Sequence, residues 1–167
     1  MKKNIIFLLD ESGSMFHIRE ETLNSYKEWA EQMGAEANGA LFSLFTFNGK
    51  VKTVQWREPR PHTIKSYLPN GSTALYDAIL RAVFSVPDGE NALLIILTDG
   101  MENSSRYGAH QGVKTLLDDR IDAGWEVSYV GCEAFPSLPQ TTTFIWDKSD
   151  TTAPWKTIYT TSTNYLK

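Results

Sequence analysis

Asn4-Ile5-Ile6-Phe7-Leu8-Leu9-Asp10-Glu11-Ser12-Gly13-Ser14-Met15 joins a short apolar run to an acid, two hydroxyls and a glycine. The run has the length of a strand and no polar alternation, which predicts a strand buried on both faces of a parallel sheet. A second run, Ala92-Leu93-Leu94-Ile95-Ile96-Leu97, gives way in the same manner to Thr98-Asp99-Gly100. Asp10 and Asp99 therefore fall at strand C-terminal ends. In open α/β sheets, ligands bind at those ends, in the crevice where strand order reverses.

Outward from this pair, the remaining elements follow from periodicity. After Ser14, the residues Met15, Ile18, Thr22, Leu23, Tyr26, Ala30 and Met33 recur at helical spacing, and Gly34 with Asn38-Gly39 marks the stop. Alternating Leu41, Ser43, Phe45 and Phe47 read as a strand, and Asn48-Gly49 signals a tight hairpin into an antiparallel edge partner over residues 51–56. Residues 57–72, with three prolines, form a long connection with room for one helical turn over 64–68. Leu75, Ala78, Ile79, Ala82, Val83 and Val86 make a second helix, stopped by Pro87 and Gly89. Val113, Leu116, Leu117 and Ile121 make a third, ending at Gly124. Residues 126–130 and 143–146 read as strands. A final helix starts near Ser149-Asp150, with Pro154 in its first turn and Trp155, Ile158, Tyr159, Ser162, Tyr165 and Leu166 on one face. Strands alternating with helices, plus one hairpin, predict a doubly wound α/β sheet.

Asp10, Ser12 and Ser14, with Thr73 after a Gly-Ser turn and Asp99, supply five oxygen side chains suited to caging one hard cation. Mg²⁺ takes oxygen ligands at near-octahedral geometry and keeps several waters, which suits a site rich in hydroxyls with two carboxylates; Mn²⁺ and Ca²⁺ are the alternatives. Taken alone, Asp10, Ser12 and Ser14 equally suit the cap of a helix. Gly13 permits the close turn between the serines. His17, His62 and His110 show no paired ligand spacing, which disfavours a zinc site of the histidine type.

In these residues the chain resembles the von Willebrand factor type A family, whose metal-ion-dependent adhesion site reads Asp-x-Ser-x-Ser, then a distant Thr, then a distant Asp. The three pieces are Asp10 through Ser14, then Thr73 within Gly71-Ser72-Thr73-Ala74-Leu75-Tyr76-Asp77-Ala78, then Asp99 within Leu97-Thr98-Asp99-Gly100. The resemblance implies a mostly parallel six-stranded sheet of order 3-2-1-4-5-6 with one antiparallel edge strand, flanked by helices. It further implies Ser12, Ser14 and Thr73 as direct metal ligands, with Asp10 and Asp99 ligating directly or through water. Such a cation, with little directly ligated negative charge, seeks an Asp or Glu presented by a partner protein. The resemblance is to small stand-alone prokaryotic or viral members, and a free-standing domain of residues 1–167 is expected to work as an adaptor, a subunit of a complex or an inhibitor of some target.

Composition agrees with a globular protein: 167 residues, 41% hydrophobic, suit one domain with a proper core. A net charge of −4 offers no basic footprint for nucleic acid. Cys132 stands alone, so no intramolecular disulfide forms, in keeping with a reducing compartment. The apolar run after Lys2-Lys3 is too short for a signal segment, and no stretch has the length of a membrane span. Cytoplasmic residence is the expectation.

Met15, Phe16, His17, Asn70, Met101, Glu102, Arg106 and Tyr107 flank the site loops and are candidates for a rim that selects a partner, since aromatics, Met and Arg are enriched at interfaces. An enzymatic alternative makes Asp10 the nucleophile of a Mg²⁺-dependent phosphatase or phosphoacceptor domain. Against it, a dehalogenase-like phosphatase places a second Asp where this chain has Ser12, and a receiver brings a Lys at a later strand end where this chain has Gly131-Cys132. A serine hydrolase is disfavoured as well, because no Gly-x-Ser-x-Gly elbow surrounds Ser12 or Ser14.

Overall fold

The computed structural model describes residues 2–99, 102–131, 142–145, 147 and 149–167. The apolar run at the start forms β1 (Lys3–Asp10), buried from Asn4 onward. It lies between β2 (Leu41–Phe47) and β4 (Asn91–Leu97), parallel to both. β5 (Glu126–Gly131) and β6 (Thr142–Ile145) continue the parallel sheet beyond β4, and β3 (Val51–Glu58) closes the other side, antiparallel to β2. The order β3-β2-β1-β4-β5-β6 is the expected one.

Successive side chains of a strand point to opposite faces, so a run apolar at every position needs cover on both. Ile5, Phe7 and Leu9 pack under α1 (Arg19–Glu36) and α4 (Ala153–Leu166), while Ile6 and Leu8 pack under α2 (Leu75–Phe84) and α3 (His110–Asp122). Phe7 anchors the first layer: its ring meets Tyr26 at 5.3 Å and Trp29 at 5.1 Å edge-on, and stacks on Trp155 at 5.8 Å. Each such aromatic pair adds about 0.5–1.5 kcal/mol beyond its buried area. The Trp29 indole N–H donates to Ser162 Oγ at 3.0 Å, so α4 is held to α1 by a satisfied polar contact as well as by apolar packing. Because α1 and α3 cover opposite faces, the connections leaving β1 and β4 diverge, and a crevice opens at the C-terminal ends of these two strands.

Four local expectations are corrected. Residues 13–18 form a 3-10 helix, Gly13–Ile18, before α1 begins at Arg19. No helical turn forms over 64–68. Leu68 precedes Pro69, which disfavours helical backbone there; the segment forms neither helix nor strand and buries Ile64 and Tyr67 in the α1 layer. The hairpin loop has three residues, since Phe47 pairs with Val51. Gly49 has no left-handed backbone; a Cβ there would lie 2.9 Å from Ser72 Oγ, so the glycine serves close approach. α4 begins at Ala153, with Asp150 Oδ1 accepting from the Thr152 and Ala153 amides just before it. Cys132 and Trp146 lie outside the described residues. No helix among the described residues is long and apolar enough to cross a membrane.

Candidate functional site

Asp10 ends β1 fully buried, and both its oxygens are held. Oδ1 accepts from the Ser12 amide at 2.7 Å and Oδ2 from the Thr98 hydroxyl at 2.6 Å. Thr98 is the residue after β4, so the acid closing one strand is clamped by the loop leaving its neighbour. Ser12 Oγ lies 3.3 Å from Ser14 Oγ, and Ser14 Oγ donates to Asp99 Oδ1 at 2.6 Å. Four of the five expected side chains thus form one continuous chain of contacts across two loops.

Thr73, also buried, is brought in by backbone bonds on both sides. The Gly13 amide donates to Gly71 O at 3.0 Å, tying the 71–73 loop to the serine loop. Thr73 N donates to Asn103 Oδ1 at 2.9 Å, and Thr73 O accepts from the Asn103 amide at 2.9 Å, tying it to the segment after Asp99. Glu11 completes the frame: its carbonyl accepts from Asn70 N at 3.0 Å and its Oε1 from Leu68 N at 3.2 Å.

Electrostatically the centre is acidic, and both of its carboxylates are buried. Burial pushes the Asp10 carboxyl up, and so does the nearby Asp99 charge, while the hydrogen bonds from Ser12 and Thr98 oppose both. Burial, together with the charges of Asp10, Glu11 and Asp99, raises the Tyr67 phenol, which remains a donor to Asp10 O at 2.5 Å. Two buried acids that repel each other create demand for a positive charge.

The donor set fits a hard divalent cation. Adjacent ligands of an octahedral ion at 2.0–2.1 Å are about 2.9 Å apart, and the spacings of 3.3 Å between Ser12 and Ser14 and 2.6 Å between Ser14 and Asp99 bracket that edge. Among the described residues no group of three or more His, Cys, Asp or Glu is placed to hold a metal, so a cation at this position would depend on the hydroxyl oxygens.

The rim candidates separate. Met15 is fully buried and belongs to the core, not to a rim. Phe16 is 52% exposed with the Arg19 guanidinium 4.0 Å over its ring, and His17 and Asn70 are exposed. Glu102 is half-buried, its Oε1 accepting from the Ser105 amide at 2.8 Å, so it shapes its own loop. Arg106 and Tyr107 are exposed. Met101 lies outside the described residues. Sequence reasoning missed Thr98, Asn103 and Asp77 as positioning residues. Asp77 accepts from the amides of Arg106 at 2.8 Å, Tyr107 at 2.9 Å and Gly108 at 2.8 Å, pinning the loop beyond Asp99 to the first turn of α2. Its place four residues after Thr73, in the first turn of α2, was the available signal.

No family model matches the chain. It is 29% identical over 156 residues to human inter-alpha-trypsin inhibitor heavy chain H2, covering 76% of this chain and 16% of that protein. A von Willebrand factor type A structure from Catenulispora acidiphila covers 99% of this chain and 43% of its own, with TM-score 0.65 and 16% identity. Proximal thread matrix protein 1 from the mussel byssus, in a structure with a zinc-occupied MIDAS motif, covers 95% of this chain and 46% of its own, with TM-score 0.64 and 17% identity. The chain therefore has the von Willebrand factor type A fold, while spanning a small part of the curated relative and less than half of either structure.

Proposed function

We infer that this protein is a divalent-metal-dependent protein-binding module, in which Asp10, Ser12, Ser14, Thr73 and Asp99 hold the cation, Mg²⁺ by preference, and a partner supplies an Asp or Glu. The observation that carries the reading is the Ser12–Ser14–Asp99 oxygen chain, spaced as octahedral neighbours and assembled from two strand ends. A divalent cation held there supplies an electrophilic position for an oxygen ligand from outside. The chain's own residues do the rest: Thr98 and the Ser12 amide orient Asp10, Asn103 orients Thr73, and Glu11 holds the 68–70 loop against the site.

The alternative of Asp10 as a phosphoryl-accepting nucleophile is disfavoured by the same geometry. Asp10 is fully buried and each of its oxygens already accepts a hydrogen bond, so an incoming phosphorus has no open approach to it from solvent. A nucleophile requires an accessible approach and an adjacent activating group.

The test is affinity capture from a lysate of the source cells, with wild type and Asp10→Ala as baits, in Mg²⁺ and in EDTA. Proteins retained by wild type in Mg²⁺, and lost both in EDTA and with the variant, support the reading. Identical recovery under all four conditions overturns it.

A further inference from the structure

A groove of about 610 Å³ opens beside the metal-site loops, between α2 and the hairpin joining β2 to β3. Its floor is apolar, formed by Val51, Leu80 and Phe84, and the Phe84 ring is 67% exposed. Lys50, Arg81 and Arg106 line it as exposed cations. In a chain of net charge −4, three cations around an apolar floor run against the overall sign. The salt bridges among the described residues, Arg57–Glu90 and His62–Glu58, engage none of the three. The one acid on the wall, Asp77, has both oxygens occupied by backbone N–H groups, with Arg106 adding its charge.

We propose that this groove docks an extended acidic segment of a partner protein, with a bulky apolar side chain seated on Val51, Leu80 and Phe84 and flanking carboxylates facing Lys50, Arg81 and Arg106. Charge complementarity selects this occupant: a neutral apolar ligand would desolvate the cations without pairing them. Tyr107, 87% exposed at the mouth, adds the amphipathic aromatic typical of such contacts. The surface uses none of the five metal-site side chains, so it is a second contact beyond the reading above and operates without a cation.

The experiment pans phage-displayed random dodecapeptides against the protein in EDTA, with counter-selection on Arg81→Glu and Phe84→Ala, both at exposed positions. The expected winners carry several Asp or Glu around a Phe, Trp or Leu. Their synthetic forms should bind wild type about tenfold tighter than either variant, as loss of a charge-paired apolar anchor implies. Amide shifts should move at Val51, Leu80 and Phe84. Enrichment of basic or uncharged peptides, equal binding to the variants, or no enrichment over the variants overturns the proposal. Self-association of wild type that Phe84→Ala abolishes would assign the groove to a second copy and overturn it too. Because selection is done in EDTA, failure of the metal reading leaves this outcome intact, and the reverse holds.

Discussion

Ser14 Oγ donates to Asp99 Oδ1 at 2.6 Å across 85 residues of sequence, closing the loop after β1 onto the loop after β4. The two strands are hydrogen-bonded neighbours in parallel register, with Leu9 opposite Leu97. Parallel pairing sends both chains out at the same edge of the sheet, so their first polar residues meet. A hydroxyl donating to a carboxylate is a strong contact, and it preforms one edge of the proposed cation cage.

A cation bound only by the folded chain adds RT ln(1 + [L]/Kd), about 1.4 kcal/mol at ten times Kd. The melting temperature should rise by about 2–5 °C in Mg²⁺, Mn²⁺ or Ca²⁺ relative to EDTA, measured by scanning fluorimetry. Thr73→Ala and Asp99→Ala should each abolish the shift. The same shift in both variants would place the ion elsewhere.

Asp77 governs the loop beyond Asp99. Burial works to raise its carboxyl, but the Arg106, Tyr107 and Gly108 amides and the Arg106 charge outweigh it and hold the group below the usual carboxylate value. A depressed folded value gives stability that is fully present above the unfolded value of about 3.9 and is lost as pH falls through the folded one. The gap in melting temperature between wild type and Asp77→Asn should therefore be complete at neutral pH and close in acid. Solvent exposure keeps the underlying stability difference small, under about 1 kcal/mol. A gap that widens in acid would contradict the clamp.

Gly108→Ala should cost about 1–3 kcal/mol by overpacking, because the new Cβ would lie 2.7 Å from Tyr76 Cβ and 2.9 Å from the Tyr76 carbonyl carbon. Gly112→Ala, inside α3 with nothing within 4 Å of its Cβ, is the control. It should stabilise the helix by about 0.5–1 kcal/mol. Urea titration of both variants reads the contrast; equal effects would refute the packing argument.

Phe7→Ala removes a fully buried ring that touches Tyr26, Trp29 and Trp155. The expected loss is about 3–5 kcal/mol, with quenching or red shift of Trp29 and Trp155 emission. A loss under about 1 kcal/mol would mean that α1 and α4 do not depend on this ring for their seat.

Most of the sheet was legible. Continuous apolar runs betray strands covered on both faces, and β1 and β4 have such runs. Helical spacing of Leu75, Ala78, Ile79 and Ala82 placed α2, which the structure begins at Leu75. The segment over 64–68 was misread because its apolar residues are spaced as in a helix. Tertiary partners decided otherwise: Glu11 takes the Leu68 and Asn70 amides, and Tyr67 reaches Asp10 O, so the backbone meets its hydrogen bonds outside itself.

By itself, the sequence determined where apolar residues continue without break, which residues punctuate them, and which oxygen side chains follow the strands, because these are properties of neighbours along the chain. Only the folded sheet decided that Ser14 meets Asp99, that Thr98 joins the nearby Ser12 amide in locking Asp10, and that Lys50, Arg81 and Arg106 gather around one apolar floor. Those relationships depend on strand register and on which face each helix covers. Both are set by long-range burial of apolar surface, which no local pattern of residues encodes.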